Sequence, residues 1–294
     1  MIGTAISRTA TLLEAIKFAH SVFALPFALL GAFIASAGLP NPGKLLLIVL
    51  CMVLVRNVAM SYNRLADQHL DKTNPRTATR ALPAGRLSPR FLWTFLAASA
   101  AGATAAAFLF YYLYHNPWPL ALIGPLLVWI AAYSHTKRFT WLSHYWLGSV
   151  LGISVPAAAV AIDPSRLSPA VILLGLGVAL WTAGFDIIYA LLDLEFDRRQ
   201  RLYSVPARFG PSAGLIVARI THAAAFACFL AAGLLLGLNR FYPLGLIVAA
   251  ALLILQHRLV RPDDLSRVNV AFFTLNGILS ILLSGMGILD LLTR

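Results

Sequence analysis

Two groups of acidic residues stand out in an otherwise apolar chain. The first is Asn63, Asp67 and Asp71, in the run Asn63-Arg-Leu-Ala-Asp67-Gln-His-Leu-Asp71. The second is Asp186, Asp193 and Asp197, with Glu195 between the last two. Of the 11 Asp and Glu residues in the chain, six lie in these groups, so acidity is concentrated at two places. Carboxylates beside a bilayer are costly and are usually kept for function. On a helix, the i, i+4, i+8 spacing of Asn63, Asp67 and Asp71 puts three oxygen ligands on one face. Steps of seven and four do the same for the second group. Two such sets of hard oxygen ligands are what Mg²⁺ needs when it bridges to a diphosphate.

A diphosphate also needs cations for the oxygens that the metals leave free. Arg76 and Arg80 follow the first group, Arg198 and Arg199 follow the second, and Lys137 and Arg138 come from a loop between them. In a membrane the natural diphosphate has a lipid tail, which suggests a prenyl diphosphate with its head at the metals. Arg56 lies in an apolar run seven residues before Asn63, on the same helical face. A buried cation needs an anionic partner. The candidates are the carboxylate of an aromatic acid substrate and a motif aspartate. Tyr133 and Tyr189 offer rings that can stabilise an allylic cation, although aromatic belts also place tyrosines at membrane interfaces. Gly148-Ser-Val-Leu-Gly152 is a GxxxG run, for which helix packing is a sufficient explanation. His69 lies off the face of the acids and is not expected to be a ligand.

The elements that must position these groups are membrane spans. The chain has 294 residues, is 60% hydrophobic and only 12% charged, with mean hydropathy +0.80, half or less of the charge of a soluble protein. The composition predicts an all-α polytopic membrane protein forming a single domain over 1–294. Net charge +12 would suit a nucleic-acid partner, but the basic residues fall in short loops, so no nucleic acid is expected. Nine apolar segments are read at about 17–36, 44–66, 90–113, 118–134, 145–162, 168–190, 212–237, 241–257 and 268–290. Lys17, the apolar run to Ile34 and Ala35-Ser-Ala37 mimic a signal peptide, but the late start and the eight further spans favour a retained helix. Cys51 and Cys228 lie in apolar runs and imply no disulfide framework. Lys and Arg crowd the loops after segments 2, 4, 6 and 8, whereas the opposite loops hold little beyond Lys44, Arg166 and Arg240. That asymmetry predicts a multi-pass protein of the plasma (inner) membrane with both acidic groups facing the cytoplasm. Each acidic helix end is followed by a basic loop and then a Pro-Ala run, Pro83-Ala-Gly85 or Pro206-Ala-Arg-Phe-Gly210, which suggests two related halves.

The first group with Asn74-Pro-Arg-Thr-Ala-Thr-Arg-Ala-Leu-Pro-Ala-Gly85 resembles the first signature of the UbiA superfamily of intramembrane prenyltransferases. Gly184-Phe-Asp-Ile-Ile-Tyr-Ala-Leu-Leu-Asp-Leu-Glu-Phe-Asp197, followed by Ser204-Val-Pro-Ala-Arg-Phe-Gly210, resembles the second. Tyr133-Ser-His-Thr-Lys137-Arg138 resembles the family's YxxxK segment. The resemblance covers nearly the whole chain. It implies nine helices around a central cavity, Mg²⁺ dependence and a polyprenyl diphosphate donor. It is nearest the 4-hydroxybenzoate polyprenyltransferase branch, including relatives in menaquinone synthesis whose acceptor is a dihydroxynaphthoic acid. By the same resemblance Arg56 matches the arginine near the acceptor carboxylate. The run Leu194-Glu195-Phe196 is less polar than in many relatives.

These features together predict an aromatic-acid polyprenyltransferase of respiratory quinone biosynthesis, working in the lipid bilayer. The expected metal ligands are Asn63, Asp67, Asp71, Asp193 and Asp197. Arg76, Arg80, Lys137, Arg138 and Arg198 are expected on the diphosphate, and Asp186, Arg56 and Tyr133 at the reacting groups. Within the superfamily a different acceptor is the alternative. An ion-coupled transporter is a rival of another class, but relay acids sit near the bilayer midplane. A CDP-alcohol phosphotransferase lacks its Asp-Gly-x-x-Ala-Arg run here.

Overall fold

The structure is a computed structural model and describes residues 23–294. In chain order its helices are α1 (Leu25–Ser36), α2 (Pro42–Ala66), α3 (Gln68–Thr73), α4 (Pro89–Tyr114), α5 (Trp118–Thr136), α6 (Ser143–Gly152), α7 (Ser154–Ile162), α8 (Pro169–Ala190), α9 (Leu194–Arg199), α10 (Val205–Phe209), α11 (Pro211–Leu236), α12 (Tyr242–Leu259) and α13 (Asn276–Leu292). Among the described residues the only β pairing is an isolated bridge between Arg261 and Asp264. Eight helical stretches are long and apolar enough to cross a membrane: α2, α4, α5, α6 with α7, Pro169–Arg199, α11, α12 and Val270–Leu292. The first of the nine expected segments is represented by the shorter α1; residues 17–22, where it was expected to begin, lie outside the described residues.

Serine caps followed by proline start several of these helices. Ser88, Ser168 and Ser204 each accept a backbone N–H three residues on, and a proline fills the first or second helical position. Left-handed residues end α1, α4 and α11, at Ala37, His115 and Gly237. The expected continuous helix over 145–162 is two pieces. Pro156 has no N–H for the Gly152 carbonyl, and the chain bends at Ile153.

The described residues fall into two compact units, Leu47–His135 and the pair of stretches 23–46 and Thr136–Arg294. In the first unit, Ala103, Ala107 and Ile123 of α4 and α5 form an apolar cluster with Leu54 and Val55 of α2. Tyr62 hydrogen-bonds His135 at 3.0 Å and meets the Trp93 ring edge-on. In the second unit α8 is central, packed on α6 and α11, while α13 packs on α1 and α12. Its core includes Trp181, Phe185, Ile187 and Ile188, all buried.

Two polar features of the second unit are structural. Residues Val270–Leu275 form a π-helix, which frees carbonyls from their regular partners. Asn276 Nδ2 donates to Ala271 O (3.1 Å) and Phe272 O (3.0 Å), Gln256 Nε2 donates to Ala271 O (3.1 Å), and Trp181 Nε1–H donates to Asn276 Oδ1 (2.9 Å). Side-chain amides thus satisfy backbone that lipid cannot. Buried Asp290 accepts the N–H groups of Arg240, Phe241 and Tyr242 at 2.9–3.1 Å, a carboxylate seated on the N-terminal end of α12. Outside the spans, Asp163 is held below the ordinary carboxylate range by hydrogen bonds from the Ser165 side chain and backbone.

Candidate active site

The first acidic group sits where α2 gives way to α3. The helix bends at Asp67, whose φ −97°, ψ 9° lies in the bridge region between the helical and extended basins. Backbone bonds still run from Asp67 N to Asn63 O (3.0 Å) and from Asp71 N to Asp67 O (2.7 Å), so the face expected from the spacing survives the bend. Asn63 Nδ2 donates to Asp67 Oδ2 at 3.1 Å. Asp67 and Asp71 are buried, Asn63 half-buried. Asp71 Oδ1 accepts Arg80 Nη1 at 2.7 Å. Asp71 Oδ2 is buried, accepts no hydrogen bond and lies 3.5 Å from Arg64 Nη1. The loop after α3 folds back on this aspartate: Thr77 Oγ1 donates to Asp71 O (3.0 Å), and Asn74 Oδ1 accepts Arg76 N (3.0 Å).

The second group repeats the local backbone. Asp193 has φ −106°, ψ 5°, close to the values at Asp67, and it too precedes a six-residue helix. The face expected for Asp186, Asp193 and Asp197 is not one continuous helix. A 3₁₀ turn over Leu191–Asp193 separates α8 from α9 and winds more tightly than the α-helix around it. Neither Asp67 nor Asp193 caps its helix with its side chain. Asp197, one turn on, is buried and leaves Oδ1 without a hydrogen-bond donor, while Lys137 and Asp193 act on the carboxylate by their charge and Ser204 by a side-chain hydrogen bond. Lys137 is tied to this loop through its carbonyl, which accepts Tyr203 N at 2.7 Å. Glu195 is exposed.

The other expected residues are spread across both units. Arg56 and Tyr133 are half-buried, in α2 and α5; Arg138 is half-buried, and Arg76 and Arg198 are exposed. Tyr189 stacks on Phe272 with centroids 4.1 Å apart, so one face of its ring is covered. His69 is exposed, and both cysteines are free. The GxxxG run does pack helices: a Cβ at Gly148 would overlap the Ala179 carbonyl oxygen, and one at Gly152 would lie 2.5 Å from Gly175 O.

One residue escaped the sequence reading. His144 Nδ1 lies 2.7 Å from Asp186 Oδ2, and His144 Nε2 accepts the N–H of Val205 at 3.2 Å. His144, Gly148 and Gly152 are spaced i, i+4, i+8, so they share a helical face. That pattern was the available signal, and it was read for its glycines alone.

Chemically, each group presents oxygen ligands only, with one buried carboxylate oxygen lacking a donor. That donor set suits a hard divalent cation such as Mg²⁺. Among the described residues no three His, Cys, Asp or Glu side chains converge as a metal cage, so exogenous oxygens would have to complete any coordination shell.

Comparisons with known proteins agree with this chemistry. Residues 24–278 match the model of the UbiA prenyltransferase family. The 4-hydroxybenzoate octaprenyltransferase of Nitrosospira multiformis is 32% identical over 264 residues, covering 90% of this chain and 88% of that protein. The protein of the same name from Alkalilimnicola ehrlichii is 30% identical over 261 residues, covering 89% and 86%. An apo UbiA homologue from Aeropyrum pernix K1 superposes with TM-score 0.83 at 35% identity, over 93% of this chain and 98% of that one. A UbiA homologue from Archaeoglobus fulgidus bound to DMAPP and Mg²⁺ shares the fold, with TM-score 0.73 at 18% identity over 96% and 99%.

Proposed function

The chain belongs to the UbiA prenyltransferase family, and we propose from that premise that it transfers a polyprenyl group to the ring of an aromatic acid for respiratory quinone synthesis. The observation that carries the proposal is the repeated device at Asp67–Asp71 and Asp193–Asp197: a bend at the first aspartate, then a buried second aspartate with a bare oxygen. The curated relatives supply the acceptor class, since those above are named 4-hydroxybenzoate octaprenyltransferases. The homologue bound to DMAPP and Mg²⁺ supports a prenyl diphosphate donor and a divalent ion.

On this reading Asn63, Asp67 and Asp71 hold Mg²⁺ in one group and Asp193 and Asp197 in the other. Bound there, Mg²⁺ supplies Lewis-acid stabilisation to the leaving diphosphate. Arg76, Arg80, Lys137, Arg138 and Arg198 neutralise the phosphate oxygens; Arg80, held on Asp71, keeps further N–H groups for that purpose. The donor's allylic C–O bond breaks and the diphosphate leaves with the electron pair. A ring carbon ortho to the phenol forms the new C–C bond, and Asp186 takes the ring proton. Arg56 holds the acceptor carboxylate, and the Tyr133 ring faces the cation. Both acidic groups face the cytoplasm, a placement that rests on the Lys and Arg distribution of the loops.

The test is mass spectrometry of products from the purified protein in detergent. It is given mixed polyprenyl diphosphates with 4-hydroxybenzoate or a dihydroxynaphthoate, with and without Mg²⁺. A Mg²⁺-dependent C-prenylated acid is expected. Absence of any prenylated acid with every donor would overturn the proposal.

A further inference from the structure

His144 and Asp186 come from helices that approach more closely than side chains normally allow. Gly152 meets Gly175, and Gly148 meets the Ala179 carbonyl, so α6 and α8 run antiparallel with their backbones in contact. One turn before Gly148, the same face of α6 carries His144, which is buried. The register set by the two glycines therefore delivers its ring to Asp186 at 2.7 Å.

The two hydrogen bonds of the ring fix its tautomer. Val205 N–H can only donate, so His144 Nε2 must be the bare, accepting nitrogen. The ring proton is then on Nδ1 and points at Asp186 Oδ2. Asp186 Oδ1 has no hydrogen-bond partner among the described residues, and the side chain is 19% exposed. One oxygen is held and the other is offered. The arrangement also denies His144 a role as a second base: taking a proton at Nε2 would set two N–H groups against each other. The donor at Nδ1 serves equally when Asp186 is a carboxylate and when Oδ1 has taken a proton.

We propose that His144 is the positioning residue of the transfer reaction, a neutral Nδ1–H donor that locks the Asp186 carboxyl so that Oδ1 faces the acceptor ring. The Ser204-Val205 turn is the frame behind it. Val205 N–H holds the ring of His144, and Ser204 hydrogen-bonds Asp197, so one turn orients both the aspartate assigned to the proton and one assigned to the metal. The proposal rests on the aromatic-transfer reading above.

Three variants separate donor from scaffold. His144→Asn keeps an N–H near the Nδ1 position. His144→Gln reaches Val205 N–H but offers nothing at Nδ1, and His144→Phe offers neither contact. His144→Phe and His144→Gln are expected to lose about ten- to a hundred-fold in kcat for transfer, the size of a lost hydrogen bond to a charged group. Their KM for the prenyl diphosphate, and Mg²⁺-dependent release of diphosphate without acceptor, should stay within about threefold. His144→Asn should retain kcat within about threefold of the parent. Full activity in His144→Gln, or loss in His144→Asn equal to that in His144→Phe, overturns the proposal. Nitrogen-15 NMR of the histidine-labelled, unsubstituted protein reads the tautomer independently of any reaction: Nδ1 must be the protonated nitrogen, and a bare Nδ1 overturns the assignment even if transfer is efficient. Failure of the unsubstituted protein to prenylate any acid, with the tautomer as stated, would instead fault the aromatic-transfer reading.

Discussion

A buried carboxylate oxygen without a hydrogen-bond donor costs on the order of 1–3 kcal/mol, and the chain carries that cost at both Asp71 and Asp197. At Asp71 the nearby guanidiniums of Arg64 and Arg80 offset it. A divalent cation would use the same oxygens directly, which is the physical case for metal at each group. Asp67→Asn or Asp193→Asn keeps shape and removes charge. Each is expected to lower kcat/KM at ordinary Mg²⁺ by about a hundredfold or more, while the protein stays folded. Product formation across a Mg²⁺ titration is the measurement, and normal activity in either variant would sink the two-metal assignment. Arg56 separates acceptor from donor. If it holds the acceptor carboxylate, Arg56→Ala raises the acceptor KM by roughly ten- to a hundred-fold and barely changes the donor KM. A parallel rise in donor KM and Mg²⁺ requirement would mean that Arg56 serves the aspartates instead.

Helices here do more than span. Two of them give way at an aspartate, and neither Asp67 nor Asp193 uses its side chain to cap the short helix that follows. The α6–α8 contact works by subtraction, because only glycine lets the backbones meet at Gly148 and Gly152. Gly148→Val should force the pair apart and cost roughly 1–3 kcal/mol of stability, and it should slow transfer in the folded fraction by moving His144 from Asp186. Gly124→Val in α5 is the control, since nothing lies within 4 Å of a Cβ there. Thermal unfolding in detergent with transfer rates decides it. Equal effects from the two substitutions would show that glycine loss in a helix, rather than the close approach, is responsible.

For the molecule as a whole, the distribution of Lys and Arg in the loops argues for a cytoplasmic opening. Thr73 and Gln200 are exposed and lie just beyond the two acidic groups. Cysteines placed at these positions should resist a membrane-impermeant thiol reagent added outside intact cells and react once the membrane is permeabilised. Labelling of both from outside would invert the topology.

Membrane class, span positions and the two acidic groups were legible in the sequence because each is a local property: composition over about 20 residues, or side chains a fixed number of residues apart on one helix. The bends at Asp67 and Asp193 were not, since the spacing of Asn63, Asp67 and Asp71 suits a straight helix as well as a bent one. Asp290 shows the limit of counting acids. It is as buried as the motif aspartates and, like Asp71 and Asp197, leaves one oxygen without a hydrogen-bond donor, yet its Oδ2 is taken by three backbone N–H groups at the start of α12 and Arg294 lies 3.8 Å from its Oδ1, a role visible only once residues about 50 apart in the chain are brought together. The same holds for His144 and Asp186, 42 residues apart. Helical periodicity aligns His144 with Gly148 and Gly152, but it cannot name the helix those glycines meet. Only the packed pair of α6 and α8 decided that the histidine's proton points at Asp186.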